Sequence, residues 1–466
     1  MNQNPPTPTL TSGPVGPQLI GMALPVMVAQ LIVLVYGLAD SWFVSRIDSQ
    51  ATHLVSGMGL VFPLFFFFIA LGQGLSTGTA SLVARALGGK DDAALEKAGD
   101  SALFLSLGGA ILVAALFYAF GGQLVGLIAG SSLSPRAVAA GQSFLFWLIP
   151  GLALLLVNNA LAGILQGEGR MMVTFAASGL SVLLNLALDP LLIFGCGLGI
   201  AGAGLATSLS IAVSTLFLLA AFLRNPANVR IRFRLSGIKA SVMAEIARVG
   251  APQAGNMMLL SLGFVFVNYA VSSLGEDVMN AWALVGRADD LILMVAYGLS
   301  AALLTMTGQN AGAGNWDRVK TALRLATLYG LIASLVLSLL YILLARPLFS
   351  LLSDNPAVVE HCVRQVAWIS WSYAGVVASI IINALFLGLG RPWAGVVMTF
   401  LRMELVLVPG VFLLVFSLGK GMNELLAFFA AVNVLTLPLV WFWGSSVLRR
   451  ARPAADITVM EPAAAE

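Results

Sequence analysis

Twelve apolar runs, each long enough to cross a bilayer, decide what this chain can fold into. A spanning helix needs about 20 predominantly apolar residues. Such runs lie at approximately 18–44, 54–82, 101–129, 137–165, 171–195, 199–223, 245–273, 280–307, 321–345, 357–388, 393–417 and 422–448. In hydrocarbon every backbone polar group must be satisfied internally, which runs of this length achieve as helices. Composition agrees: 59% of the residues are hydrophobic and 10% charged, against about 25% charged in a soluble domain. The expectation is an all-α polytopic membrane protein with twelve transmembrane helices.

The basic residues orient the spans. Seventeen of the 24 Lys and Arg fall in segments on one side, including Arg85, Lys90, Lys97, Arg170, Arg318, Lys320, Arg324, Arg391 and Arg449. Arg46, Arg136, Arg346, Arg364 and Lys420 fall on the other, and Arg287 and Arg402 lie within spans. The positive-inside rule makes the richer side, with both termini, cytoplasmic. In bacteria this reads as the cytoplasmic (inner) membrane. A net charge of +3 is thereby a topology signal, and nucleic acid is excluded as a partner. The first 17 residues carry no Lys or Arg, so the first run serves as an uncleaved helix rather than a signal peptide. Cys196 and Cys362, with His53 and His361, form neither a disulfide framework nor a metal-ligand spacing.

The halves repeat at an offset of about 220–227 residues. Ala23–Met27 (ALPVM) answers Gly250–Ala254 (GAPQA), and Gly74–Ser76 answers Gly298–Ser300. Arg85–Lys90 (RALGGK) answers Asn310–Asn315 (NAGAGN), Asn159–Leu161 answers Asn383–Leu385, and Leu188–Pro190 answers Leu407–Pro409. Their shared order implies two six-helix lobes related by a pseudo-two-fold axis along the membrane normal. The division reads as a flexible tail 1–17, an N-lobe 18–223, a cytoplasmic linker 224–244, a C-lobe 245–448 and a flexible tail 449–466.

An acid at the centre of a span costs about 2.5–3.5 kcal/mol on insertion scales, so intramembrane carboxylates are candidates for function. Asp40 and Asp189 each have a polar residue four positions earlier, Tyr36 and Asn185, on the same helix face. Helix six brings Thr207 to a comparable depth. Tyr36, Asp40, Asn185, Asp189 and Thr207 therefore form a candidate cation-coupling group in the N-lobe. Asp40, Asn185, Asp189 and Thr207 would be the ligands if the cation is Na⁺; paired acids also suit a shared proton. The plainer reading of Asp40 is a solvated acid at the outer interface. In the second half the matching positions are Val267 or Asn268, and Val408, so the lobes are chemically unequal. Arg287 with Asp289 or Asp290 is the competing group, and its plainer reading is an internally neutralised set holding helix eight. Arg402 and Glu404 each need a partner. The aromatic run Phe62–Phe68 reads as lipid and lobe packing. Pro25 either hinges helix one or only shapes its entry. No phosphate-loop motif occurs, which argues against ATP hydrolysis.

These residues resemble the multidrug and toxic compound extrusion (MATE) transporters over about residues 18–448. The resemblance rests on the Pro25 helix with Tyr36 and Asp40, ALGQGLSTG followed by ARALGGKD, ILQGEGR, NLALDPLLIFG, GIAGAGLATSLS and GQNAGAGNWDRVKTA. It implies export of amphipathic, often cationic, drug-like small molecules in exchange for H⁺ or Na⁺. No other cofactor is implied, and a monomer in contact with membrane lipid is expected. Within the family the chain looks most like the DNA-damage-inducible F branch, whose N-lobe acids are matched by Asp40 and Asp189, with Asn185 and Thr207 as cation ligands. The branch with a glutamate in helix seven has no counterpart in MMLLSLGFVFVNYA. Helix-eight acids can contribute in the family, which keeps Asp290 a secondary candidate, and a helix-four asparagine would be Asn158 or Asn159. The rival reading is a lipid-linked precursor flippase of the same superfamily, which would place more basic residues within the spans. A membrane enzyme finds no nucleophile or metal constellation.

Overall fold

The computed structural model describes residues 10–45, 52–130, 134–224, 228–232, 234 and 237–451; the side chains of residues 33–45, 52, 53 and 55 lie outside that description. Among the described residues, twelve helices are long and apolar enough to cross a membrane. They are α1 (Val15–Ser45), α2 (Thr52–Gly88), α3 (Asp92–Ala129), α4 (Pro135–Gly167), α5 (Met171–Gly195) and α6 (Ile200–Arg224) in the first half. The second half has α7 (Ala240–Ser272), α8 (Glu276–Gly312), α9 (Trp316–Ser350), α10 (Pro356–Gly388), α11 (Pro392–Ser417) and α12 (Met422–Ala451). Each expected span has its helix. The protein is therefore an all-α, multi-pass membrane protein.

Local signals place the ends. Asp91 accepts from Ala94 N–H at 3.0 Å and caps α3. Ser134 and Asn355 cap α4 and α10, each followed by a proline whose missing N–H is not needed in a first turn. The short turns repeat between halves. After α2, Asp91 N–H bonds Ala86 O at 2.9 Å and Lys90 N–H bonds Leu87 O; after α8, Asn315 N–H bonds Asn310 O at 2.8 Å and Gly314 N–H bonds Ala311 O. Both are left-handed C-terminal caps, with φ of 53° at Lys90 and 76° at Gly314. Backbone geometry thus sets Lys90 against Gly314, one residue out of the alignment that pairs Lys90 with Asn315. Letter matching in glycine-rich turns follows identity, whereas the cap follows the residue that must adopt positive φ. The same cap recurs after α4 at Gly169 and after α10 at Gly390.

The chain divides into two compact units, though not at the expected places. Unit 1 contains Gly21–Met258, and unit 2 contains Leu10–Ile20 and Leu259–Glu466. The start of α1 belongs with the second half because Arg318 holds it. Its guanidinium donates to Leu10 O at 3.0 Å, Ser12 O at 3.2 Å, Gly13 O at 2.7 Å and Gln18 Oε1 at 3.2 Å. Residues 10–17, expected as a flexible tail, are therefore fastened. The first half of α7 belongs with unit 1 because glycines let backbones meet. A Cβ on Gly74 would lie 2.4 Å from Gly250 O, and one on Gly78 would lie 2.3 Å from Ile246 O. Val242 and Ile246 pack into one apolar cluster with Leu82 and Val83.

A branched side chain has no room at such a contact. We expect Gly74→Leu to destabilise the protein by about 1–3 kcal/mol or more, because overpacking forces helices apart. A lowered melting temperature in detergent would register this; an unchanged one would show that α2 and α7 do not meet at Gly74.

Unit 1 also binds the basic segment after α6. Glu168 Oε1 accepts from Asn228 N–H at 2.9 Å and Val229 N–H at 2.8 Å. Asp100 Oδ1 accepts from Arg232 N–H at 2.9 Å, and Glu96 pairs with the Arg232 side chain at 2.6 Å. Burial pushes the Glu168 carboxyl above the ordinary range, against the opposing pull of those N–H bonds and of Arg170.

The aromatic run splits as its helical period dictates. Phe62 is exposed, whereas Phe68 is fully buried and meets Phe117 edge-on at 4.7 Å.

Candidate functional site

In unit 1 the expected acid group is built by α5 and α6. Asn185 and Asp189 lie one turn apart on α5, and both are buried, Asp189 completely. With its amide oriented as its neighbours require, Asn185 donates to Asp189 Oδ2 at 2.8 Å and faces the Thr207 hydroxyl at 3.3 Å. Thr207 in turn donates to Ala203 O at 3.1 Å on its own helix. Three of the residues chosen from sequence are thus brought together. Tyr36 and Asp40 sit on α1, and their side chains lie outside the described set.

The sequence around the acid explains the geometry. Pro190 closes the regular part of α5, and Leu191–Gly195 follow as a π turn. Such wider turns arise where one residue too many must fit a helix. Gly197 and Gly199, with φ of 65° and 56°, then reverse the chain into α6. Gly202 brings α6 against the Leu192 carbonyl, where a Cβ would lie 2.8 Å away. That close approach puts Thr207 beside Asn185. Asn158 does a different job: it donates to Ser214 Oγ at 3.1 Å and Thr215 Oγ1 at 3.2 Å, tying α4 to α6. Asn159 donates to Leu155 O at 2.9 Å and lies under Gly72.

Unit 2 keeps the shape and changes the chemistry. The π turn recurs at Leu413–Ser417, and a second one occupies Leu401–Leu407. Val267 is fully buried, and Asn268 accepts from Trp282 Nε1 at 2.9 Å. Among the described residues of this unit the buried acid is Asp289 on α8, to which the Tyr373 hydroxyl on α10 donates. Tyr341 on α9 reaches Val285 O, one turn before Asp289, at 3.5 Å. Asp290 is exposed, as is Arg287. Among the described residues the ion pairs do not include Arg287, so the expected Arg–Asp set is not formed. Residues 287 and 289 are two apart on a helix and point to different faces, whereas Arg287 and Asp290, three apart on one face, are both exposed and form no ion pair among the described residues.

Tyr373 is reached by no spacing rule that starts from the acids. A signal existed, since only seven tyrosines occur in 466 residues and a lone phenol in an apolar span needs a polar partner. Arg402 finds the partner it needs in Asn433, donating to its Oδ1 at 2.8 Å, and Asn433 donates to Ser372 Oγ at 3.0 Å. Among the described residues the buried Arg402 Nε has no hydrogen-bond partner.

Duplicated helix sets, repeated turns and buried polar groups within the spans define a multi-pass membrane transporter of the two-unit type. The MatE family pattern matches residues 25–191 and again 252–413, and the chain belongs to that family. The two matches begin at Pro25 and Pro252, the prolines that open the repeat. Among known proteins the chain is similar to an FAD transporter of Shewanella oneidensis, 27% identical over 86% of this chain and 88% of that one. It is also similar to the multidrug export protein MepA of Staphylococcus aureus, 22% identical over 74% and 76%. Among solved structures, a MOP superfamily transporter from Pyrococcus furiosus superposes with a TM-score of 0.89 at 23% identity, covering 97% of this chain and all of that one. A MATE transporter in the straight conformation superposes with a TM-score of 0.86 at 24% identity, covering 96% and 100%.

Proposed function

We propose that this protein is a secondary antiporter that exports amphipathic or cationic small molecules in exchange for H⁺ or Na⁺ by alternating access. The observation that carries this reading is the buried carboxylate of Asp189, hydrogen-bonded to Asn185 beside Thr207. Such a group is costly in a membrane unless a cation visits it. Asp40 and Tyr36 on α1 complete the coupling group in this proposal, as the resemblance to the F branch implies. The MepA relatives support the substrate class. The asymmetry of the basic loops supports a cytoplasmic-membrane location with both termini inside.

The hinge is Pro25. It is the eleventh residue of α1, which begins at Val15, so it lies inside the helix rather than at its entry. Lacking an N–H, it leaves the Gly21 carbonyl without the usual donor. Gly21 is the residue at which α1 passes from one unit to the other. A helix weakened there has straight and bent forms close in energy. Cation occupancy at the carboxylates would bias one of them, which is the differential interaction a coupled switch requires. We expect Pro25→Ala to remove most of the pH or Na⁺ dependence of substrate binding while the protein stays folded. Binding titrations at two pH values, with and without Na⁺, test this; a variant that keeps full cation dependence excludes bending at Pro25.

A second reading, export of a flavin dinucleotide, is favoured by the Shewanella oneidensis relative and by the buried Arg402 Nε that an anionic group would satisfy. Lipid-linked precursor flipping has less support, because among the described residues Arg287 and Arg402 are the only basic ones well inside the spans. Efflux of a lipophilic cation and of FAD from proteoliposomes, under separately imposed pH and Na⁺ gradients, distinguishes these readings. Cation efflux driven by either gradient supports the antiporter. Gradient-independent movement of both probes overturns it.

A further inference from the structure

Unit 2 carries a pocket of about 260 Å³ at the end where α9 begins and α12 finishes. Two helical stripes face each other across it. Trp316, Lys320 and Arg324 recur at four-residue intervals along α9, and Trp441 and Arg449 stand two turns apart on α12. Residues at these spacings share a face, so both stripes present cations and indoles to the same space. Lys320, Arg324 and Arg449 are exposed, and among the described residues none of them enters an ion pair. Among the described residues Asp317 is the one carboxylate in the lining, so these pocket walls carry three positive charges and one negative.

Cations gathered around a concavity repel one another, and the arrangement is relieved by an anion that enters it. A guanidinium suits phosphate because its N–H fork matches two oxygens at once. Tryptophan on a spanning helix marks the headgroup level, where an indole is half in hydrocarbon and half in water. An anion available at that level, in two dimensions and at high local concentration, is the phosphodiester of a phospholipid. The cytoplasmic leaflet, to which the loop charges assign this end, is the anionic one. The volume is that of a headgroup rather than of a whole lipid, whose chains would lie against the apolar flanks of α9 and α12. Leu328 and Leu335 on α9 and Leu435 and Leu439 on α12 are exposed there for such contact.

We infer that this pocket is a binding site for the phosphodiester headgroup of an anionic phospholipid, held by Lys320, Arg324 and Arg449 between Trp316 and Trp441. The inference does not depend on which substrate is exported, since the pocket lies apart from the Asp189 and Asp289 groups in sequence and in lining.

The test uses the full chain, purified in detergent and titrated with phosphatidylglycerol or phosphatidylcholine. Bound lipid is counted by native mass spectrometry, and melting is followed in parallel. Wild type is expected to prefer phosphatidylglycerol by at least about tenfold, because basic residues near the surface attract anionic lipid. The preference should vanish in the triple variant Lys320→Gln/Arg324→Gln/Arg449→Gln and persist in Arg364→Gln/Lys420→Gln, which neutralises exposed cations elsewhere in unit 2. If the triple variant fails to fold, Arg324→Gln and Arg449→Gln separately are expected each to lose part of the preference. An unchanged preference in these variants overturns the inference, as does a wild type that takes both lipids equally. Displacement of phosphatidylglycerol by millimolar inorganic phosphate also overturns it, because the site would then be one for free anions.

Discussion

Asp189→Asn is expected to bring gradient-driven efflux down to the level of protein-free liposomes while the protein still inserts and folds. The substitution keeps the side chain's size and its oxygen acceptor, so Asn185 retains a partner where Asp189 Oδ2 now lies 2.8 Å away. It removes a buried ionisable group, which relieves desolvation rather than adding to it. Stability should therefore hold or rise. Coupling should not survive. An amide exchanges no proton near neutral pH and offers Na⁺ no charge, so the cation loses its preference for one conformation over another, and a ligand with equal affinity for both states shifts nothing. Substrate binding measured on the same preparation should persist, now independent of pH and Na⁺. A well-folded Asp189→Asn protein with wild-type efflux would place coupling elsewhere.

Unit 2 supplies the comparison. Neutralising Asp289 and Asp290 together is expected to leave efflux within about tenfold of wild type, a change of roughly 1.4 kcal/mol in the coupled step. Asp289 is engaged by the Tyr373 hydroxyl, and an asparagine at 289 still offers an oxygen to that phenol. Asp290 is exposed, so its loss uncovers no buried group. Replacement of Asp289 by valine is a different matter, since it strands the Tyr373 hydroxyl and costs about 1–3 kcal/mol in stability. Parallel efflux assays on Asp189→Asn and on Asp289→Asn/Asp290→Asn decide between the units. A dead double variant beside a near-normal Asp189→Asn would move the coupling site to α8 and α10.

The two acids show what kind of information a span carries in its letters. Asp189 is preceded by 18 uncharged residues and followed by 34, so its place within a span follows from hydropathy alone. Its pairing with Asn185 follows from the four-residue spacing. Asp289 and Asp290 are adjacent, and hydropathy treats them alike. Which of them turns inward depends on the rotation of α8 about its own axis, set by packing against α9 and α10. The weak moment of an apolar helix leaves that rotation open: when lipid and protein interior are equally apolar, polarity does not tell one face from the other. Tyr373 and Asp289 are 84 positions apart, and no local spacing relates them.

The chain's own letters determined the twelve spans, the duplication and the candidate acid on α5 with its asparagine, because span length, charge asymmetry and i,i+4 spacing are local properties that the bilayer enforces on any sequence. Tertiary structure alone decided that Leu10–Ile20 joins unit 2 and that the first half of α7 joins unit 1. Those memberships depend on the Arg318 guanidinium meeting carbonyls some 300 positions away and on Gly74 meeting Gly250 backbone to backbone. A glycine in an apolar helix signals that something can come close. What comes close is settled only when the helices pack, since the contact is made with backbone atoms that every residue shares.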